Sequence, residues 1–399
     1  MSSKKNNKYP TLKAISLFAN VGIAETYLEE IGVDVVLANE LDPQRAKFYS
    51  HLYPSSEMIV GDITDVNLQN ELIQKARKNN VDLLIATPPC QGMSTAGKKE
   101  EFDPRNSLIC CAVRLIKEIN PKYVFLENVP EQLLTRIYHD DELLLIPDYL
   151  KKELGELYNF ADEVVVDAAD YGVPQSRQRA IFLLTRKDLD FTWQMPEPVS
   201  KKVTMYDAIG YLPTLDPFVK DITADELLKL FPAFEERKRA ALEISKWHYP
   251  PTHIYRQVYA MMHTPTGRSA FENIDEFKPK KSDGTIVRGF KNTYKRQEWD
   301  KPAFTITMYN RTIGSQNNVH PGRLYDYDES GNDLYSDARV LTVYEIMILM
   351  SLPKDWNIPD WASESFVRSV IGEGIPPLLV KKIIEVLQNE QIKRSFPIC

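Results

Sequence analysis

The sequence predicts an α/β chain: an open, mostly parallel sheet with a reactive rim, followed by a second, less regular domain. Three observations carry that expectation. Short apolar runs alternate with helix-spaced segments through the first half of the chain, as strand–helix units do. Several of these runs end at a cysteine or a carboxylate, and in open α/β sheets ligands bind outside the carboxyl ends of the strands. From about Phe191 prolines and aromatics become frequent and the helical segments short.

At 399 residues the chain has room for two or three domains and a sizeable core. No stretch approaches the 18 apolar residues that a membrane span needs, so no membrane association is expected. The start, Met1 to Pro10, is Lys/Asn/Ser-rich and reads as a disordered tail and not as a signal peptide. Cys90, Cys110, Cys111 and Cys399 match neither a zinc spacing nor a disulfide framework, which points to a reducing, cytoplasmic setting. The net charge of −7 argues against a protein that coats nucleic acid without specificity. It hides an asymmetry: Lys246 to Arg323 holds thirteen Lys/Arg against six Asp/Glu, a footprint suited to a phosphate backbone or to a solvated face.

Taken in order, Leu12 to Ala19 reads as the first strand and Asn20-Val21-Gly22 as a turn. Ile23 to Ile31 has helical spacing closed by Gly32, and Val33 to Ala38 is a second strand ending at Glu40. A carboxylate 18 positions after Gly22 suits ribose hydroxyls. The turn is not a full G-x-G-x-x-G, so a nucleoside without phosphates, such as S-adenosylmethionine, fits better than a dinucleotide. Met58 to Ile63 is a third strand; its Asp62 can accept from an adenine amino group or act as a helix N-cap or turn residue. Val81 to Ala86 is a fourth, leading into Thr87-Pro88-Pro89-Cys90-Gln91-Gly92-Met93-Ser94. The two prolines bar an early helix, and the turn residues that follow make Cys90 an exposed, nucleophilic thiol and not a packed one. A helix over Ser107 to Ile119 leads to a fifth strand, Lys122 to Leu126, which delivers Glu127-Asn128-Val129-Pro130 to the same rim.

After a partly helical stretch come a strand at Glu163 to Asp167, a loop from Tyr171, and a last strand at Ala180 to Thr185. Arg177 and Arg179 alternate, so in extended chain both point to one face, where two guanidiniums suit a phosphate or a base oxygen. Beyond 193 the expected helices are Met205 to Tyr211, Ala224 to Ser245 and Val340 to Leu352, with strand-like alternation at Phe304 to Met308 and a closing helix reaching about Gln388. Trp247, Tyr249, Tyr255, Tyr294 and Trp299 interleave with the basic segment and can either stack bases or fill a core.

Pro89-Cys90-Gln91, Glu127-Asn128-Val129 and Gln175-x-Arg177-x-Arg179 stand in that order, followed by Arg339-x-Leu341-Thr342-x-x-Glu345 and by Gly372 to Pro376. This set resembles the ordered motifs of the DNA cytosine-5 methyltransferases of bacterial and phage type. The resemblance implies a Rossmann-like S-adenosylmethionine-dependent methyltransferase catalytic domain with a seven-stranded sheet. A smaller, irregular, mostly-β target recognition domain would go with it. The implied boundaries are 1–192 for the catalytic domain, 193–367 for target recognition and hinge, and 368–399 for a segment completing the catalytic domain. By matched positions, Phe18, Gly22, Glu40, Asp62, Ile63, Pro89 and Leu108 would hold the cofactor, with S-adenosylhomocysteine as product and no metal. Cys90, Glu127, Arg177 and Arg179 would carry catalysis. Gln91 and Ser94 would contact DNA, as would the base-reading candidates Arg256, Arg268 and Arg288 from the basic segment. Two positions depart from the family pattern: Asn20 stands where Gly is usual, and Glu373 where Asn is usual.

The implied reaction starts with thiolate addition of Cys90 to cytosine C6, after which C5 attacks a sulfonium methyl. Glu127 would protonate N3, which requires it to hold or share a proton at neutral pH through desolvation. Inside a duplex the base must first be flipped out. The expected substrate is double-stranded DNA and the expected state a monomer; a restriction–modification role, with a cognate restriction endonuclease, goes with the resemblance. Two alternatives remain at this point: an RNA cytosine-5 methyltransferase, and a catalytically impaired DNA-binding relative. The insert of about 160 residues between Arg179 and Arg339 favours DNA, and the presence of both Cys90 and Glu127 favours an active enzyme.

Overall fold

The computed structural model describes residues 9–89, 108–140, 142–162 and 164–395. Two compact units share the chain: one holds Met1–Tyr171, Gln178–Val199 and Ile375–Cys399, the other Gly172–Arg177 and Ser200–Gly374.

In the first unit the apolar runs become β1 (Leu12–Leu17), β2 (Val33–Glu40), β3 (Glu57–Val60), β4 (Leu83–Ala86) and β5 (Tyr123–Asn128). All five lie parallel, in the order β3-β2-β1-β4-β5. β4 and β5 are buried along their whole length, as strands covered on both faces are. A small antiparallel hairpin, β6 (Arg136–His139) with β7 (Glu142–Leu145), stands apart. β8 (Tyr158–Phe160), β9 (Val165–Asp167) and β10 (Gln178–Arg186) close the far edge, with β10 antiparallel to β5 and bordered by both β8 and β9. The main path has seven strands, and β9 adds an eighth.

The flanking helices are α1 (Pro43–Leu52), α2 (Val66–Asn79), α3 (Leu108–Ile119) and α4 (Ile146–Leu154). Asp42 caps α1 by accepting from the amides of Gln44 and Arg45, with Pro43 in the first turn where its missing N–H costs nothing. Asp65 caps α2 in the same way, and Asn80 ends it in the left-handed conformation. α3 turns Ile109, Ala112, Val113, Leu115 and Ile116 into the core. The last helix of the chain, Pro377–Ser395, belongs to this unit: the Ile383 carbonyl accepts from the Trp193 indole, and Gln388 donates to the carbonyls of Ile31 and Pro10.

The helix expected over Ile23 to Ile31 does not form. The segment folds as successive turns, with bonds from Thr26 N to Ile23 O, Leu28 N to Glu25 O and Ile31 N to Leu28 O, and ends in one 3₁₀ turn, Glu29–Ile31. Ile23, Leu28 and Ile31 are still buried, so the spacing marked a covered face correctly while the backbone closed three-residue rings instead of four.

The second unit was expected to be mostly β, yet its strands are short and its helices outnumber them. They are α5 (Met205–Ile209), α6 (Ala224–Leu230), α7 (Phe234–Ile244), α8 (Tyr255–Met262), α9 (Val343–Leu349) and α10 (Glu364–Glu373). The strands are β11 (Phe218–Val219), β12 (Thr252–His253), β13 (Leu324–Tyr327) and β14 (Asp333–Tyr335). The single helix expected over Ala224 to Ser245 breaks in two at Pro232, which cannot donate a helical bond.

The alternating stretch Phe304 to Met308 joins no ladder, because buried side chains take its backbone groups. Gln175 Oε1 accepts from Ile306 N, Gln297 Oε1 accepts from Phe304 N, and Arg177 donates to Ile306 O. The same device recurs throughout this loop-rich unit. Fully buried Arg296 donates to the carbonyls of His320, Asp337 and Met261. Arg368 donates to Leu341 O and to Asn310, and pairs with Glu364. Irregular buried backbone must find partners somewhere, and here arginine forks supply them.

Buried histidines make this unit sensitive to acid. Burial pushes His253 down to about 3 and His320 down to about 4, and lowers His248 as well. Unfolded, each would take a proton near the ordinary value of 6.5, so below that pH the unfolded chain binds more protons than the folded one. Stability of the second unit is therefore expected to fall as pH drops from about 6.5 toward 4. The first unit should respond in the opposite direction. Burial lifts the Glu25 carboxyl to about 7, so the unit loses stability as pH rises from about 4.5 to 7. Hydrogen exchange at pH 5, 6 and 8, corrected for intrinsic rates and read separately for peptides of each unit, checks both signs. Parallel trends in the two units would refute them.

Candidate active site

The carboxyl ends of β1, β2, β4 and β5 form one rim of the first unit. At the end of β1 the chain reverses through three left-handed residues, Phe18 (φ 59°), Asn20 (φ 49°) and Gly22 (φ 83°). Asn tolerates this region better than most side chains, so the departure at Asn20 preserves the turn. Gly22 has no such freedom to vary. The Tyr53 ring occupies the space a Cβ would need, and its hydroxyl donates to Gly22 O at 2.6 Å.

Glu40, at the end of β2, accepts from Asn20 N at 2.8 Å through one oxygen and from Asp42 N at 2.9 Å through the other. Two backbone amides thus fix the carboxylate, and each oxygen keeps a lone pair for a hydroxyl donor. Beyond β3, Asp62 is exposed and accepts from Thr64 N at 2.9 Å. It is a turn residue and not the cap of α2, which is Asp65. Ile63 is buried in the main core, with its carbonyl accepting from Gln69. Leu108 opens α3 and packs against the same core, as does Phe18.

The end of β4 is tied to both neighbours. Thr87 donates to Phe18 O through its hydroxyl, and Pro88 O accepts from the Asn128 side chain at 3.1 Å. Pro89 follows; Cys90, Gln91 and Ser94 lie outside the described residues. The pairing of Ala86 with Leu126 puts Glu127 one residue past the last paired position of β4. Across the sheet, Arg179 on β10 reaches Glu127 with Nε 2.6 Å from Oε1, both side chains nearly buried. A carboxylate held this way by a guanidinium has a defined orientation at a strand end, which proton transfer to a bound base requires.

Arg177 does not accompany Arg179 in this contact. It is buried in the second unit, where it donates to Ile306 O at 2.8 Å and to Gly372 O at 2.9 Å. Gly372 itself is enforced by packing, because a Cβ there would collide with the backbone of Thr307 and Met308. Glu373, the other departure, accepts from the Ser369 hydroxyl at 3.3 Å. Of the base-reading candidates, Arg256 and Arg288 are exposed, and Arg268 is exposed but paired with Glu272 at 2.9 Å. Among the described residues, His139, Asp140 and Glu153 could together offer ligands to a metal; Glu153 is already engaged by Lys117 and His139.

The model of the C-5 cytosine-specific DNA methylase family matches residues 12–389. The chain belongs to that family. It is a DNA cytosine-5 methyltransferase, and its sheet with flanking helices is the Rossmann-like methyltransferase fold. It is 42% identical over 385 residues to the type II methyltransferase M1.HgaI of Avibacterium volantium, covering 95% of this chain and 99% of that one. It is 30% identical over 408 residues to the type II methyltransferase M.XorII of Xanthomonas oryzae pv. oryzae, covering 96% and 86%. Among solved structures it resembles a prophage-encoded E. coli protein assigned as a DNA modification methyltransferase. That match has a TM-score of 0.61 and 23% identity, covering 95% of this chain and 99% of that one.

For this methyltransferase, reasoning from sequence missed the buried arginines Arg296 and Arg368, as well as Glu25. Arg296 had been counted in the basic segment, but it is fully buried and offers nothing to a phosphate.

Proposed function

We propose that this enzyme methylates C5 of a cytosine flipped out of a short, specific duplex sequence. S-adenosylmethionine supplies the electrophilic methyl group. The reading rests on the Glu127–Arg179 pair at the end of β5, beside the strand end that leads into Cys90. Cys90 is the nucleophile, adding to C6 so that C5 becomes an enamine carbon. Glu127 shares a proton with N3 as charge builds on the ring, and Arg179 orients it and faces the O2 side of the base. Arg177 acts at a distance from the base, by holding the 303–306 segment and the end of α10.

The residues of the rim fit the donor. Glu40, pre-held by two amides, takes the ribose hydroxyls. Asp62, whose Oδ2 makes no hydrogen bond among the described residues, takes the adenine amino group, with Phe18, Gly22, Ile63, Pro89 and Leu108 completing the contact surface. Methyl transfer from a sulfonium needs no Lewis acid, so we assign no metal. The first unit is then the catalytic domain and the second the target recognition domain, with Gln91, Ser94, Arg256, Arg268 and Arg288 on the DNA. The relatives named type II methyltransferases favour a modification enzyme of a restriction–modification system, with a cognate endonuclease; a cytoplasmic, monomeric enzyme is part of this proposal. Among the described residues, no helix is long and apolar enough to cross a membrane.

The test is a duplex with 5-fluorocytosine at the target, which the bisulfite pattern of DNA methylated in cells identifies beforehand. The expected result is a covalent complex that survives denaturation, maps to Cys90 and is absent from Cys90→Ala. Absence of the complex with a wild-type enzyme that binds both DNA and cofactor would overturn the mechanism.

A further inference from the structure

The second unit presents an exposed aromatic ring on a pinned, cationic turn. Pro279 to Val287 folds as a hairpin, with Lys281 N bonded to Thr285 O, Val287 N bonded to Pro279 O, and a bridge between Lys280 and Ile286. Its tip, Ser282-Asp283-Gly284, is closed by Asp283, which accepts from the Thr285 amide and hydroxyl. A second turn follows at once. Both the amide and the hydroxyl of Thr293 donate to Phe290 O, at 2.9 and 2.8 Å. Gly289 lies against the Phe271 ring with no room for a Cβ, which fixes the approach to the turn from below.

On this fixed backbone the Phe290 ring is 78% exposed. A single apolar side chain on a surface needs no explanation. This one differs in its surroundings: Lys281, Arg288 and Lys291 are all exposed, and none is paired with a carboxylate among the described residues. From Lys278 to Lys291 there are five Lys/Arg and one Asp. The combination of a rigid turn, an outstretched ring and unpaired cations around it matches a surface that meets a stacked, polyanionic ligand. Proteins that deform duplex DNA insert apolar side chains between base steps while cations hold the flanking phosphates. A protein partner of ordinary chemistry would instead call for an apolar patch; Phe290 is flanked by Arg288, Gly289 and Lys291, and Ile286 is the other large apolar side chain exposed between 278 and 293.

We propose that Phe290 is a wedge that stacks into a base step of the bound duplex, with Lys281, Arg288 and Lys291 gripping the phosphates on either side. This deepens the reading of the second unit as the DNA-recognising part and rests on it. Such a wedge would stabilise a distorted duplex, the form from which a base leaves the stack.

The test uses full-length enzyme and a duplex containing its target, with 2-aminopurine placed in turn at each step flanking the target cytosine. Wild-type enzyme should unstack one flanking step and raise the fluorescence there. Phe290→Ala should abolish that signal and weaken DNA binding by about tenfold or more. Phe290→Trp should retain both. Each of Lys281→Gln, Arg288→Gln and Lys291→Gln should lower the salt slope of binding by about 1 while leaving the fluorescent step in place. Phe290 is largely exposed, so its variants should keep the wild-type melting temperature and their losses are read as binding. Unchanged fluorescence and affinity in Phe290→Ala would overturn the wedge; if the Gln variants still lost salt dependence, the second unit would stand as the DNA-binding part. If neither set of changes mattered while wild type bound its target, both the wedge and the assignment of this face to DNA would fall.

Discussion

Glu127→Gln is expected to lower kcat by roughly 10²–10⁴-fold, the range that a positioned general acid supplies, with DNA affinity and cofactor affinity within about twofold of wild type. Gln keeps the shape and one acceptor, so it can still receive a bond from Arg179 Nε, but it has no proton to share with N3. The loss should therefore fall on kcat and leave the binding of the ground state intact. The partner variant separates orientation from proton transfer. Arg179→Lys keeps a charge but loses the planar fork that meets Glu127 at 2.6 Å, so it should cost less than Glu127→Gln and the two losses should not add. Single-turnover methylation with saturating donor reads the chemical step directly. Equal activity of Glu127→Gln and wild type in that assay would remove Glu127 from the mechanism. Additive losses in the double variant would mean that Arg179 acts independently of Glu127.

Much of this rim is legible in the sequence, because parallel strands announce themselves. Leu83-Leu84-Ile85-Ala86 and Val124-Phe125-Leu126 are apolar on both faces, and the polar residues that follow them can lie only at the strand ends. Glu40 and Glu127 were found that way. What could not be read was the partner of each group. Arg177 and Arg179 look equivalent in an alternating stretch, yet among the described residues Arg179 pairs with Glu127, while Arg177 satisfies carbonyls more than a hundred residues away. That difference depends on long-range packing, which periodicity does not encode. The second unit was harder still. Its extended segments alternate as strands do, but their hydrogen bonds come from Gln175, Gln297 and buried arginines, so the expected ladders are absent. The helix misread at Ile23 to Ile31 has a related cause: spacing reports which side chains are covered, and a run of tight turns can cover the same residues.

The same substitution of side chains for ladders makes Arg339→Ala the most damaging change expected in the second unit. All five guanidinium donors of Arg339 have partners. Nε bonds Leu215 O, one terminal nitrogen bonds Glu345 Oε2 and Val340 O, and the other bonds Glu345 Oε1 and Asp337 Oδ1. Burial alone would raise the Glu345 carboxyl, but the Arg339 charge outweighs it and holds that carboxyl well below the usual carboxylate range. Glu345 in turn accepts from Thr342 N, which together with the Thr342 hydroxyl bonded to Glu345 N starts α9. Removing the arginine strands two carboxylates with no exposure, and breaking a buried pair from one side costs about 3–5 kcal/mol. Without the guanidinium, Glu345 loses the largest influence that opposes its burial, whereas Asp337 keeps His320, the Leu215 amide and the Ser336 hydroxyl. The penalty should then shrink as pH falls and Glu345 takes a proton, against the wild-type trend set by the buried histidines. Replacing Glu345 by Gln together with Arg339→Met should recover part of the loss, since it removes one stranded charge. Hydrogen exchange of peptides from the second unit at pH 5 and 8 measures both variants beside wild type within the intact chain. An Arg339→Ala protein with wild-type protection at pH 8 would mean that this network contributes no net stability.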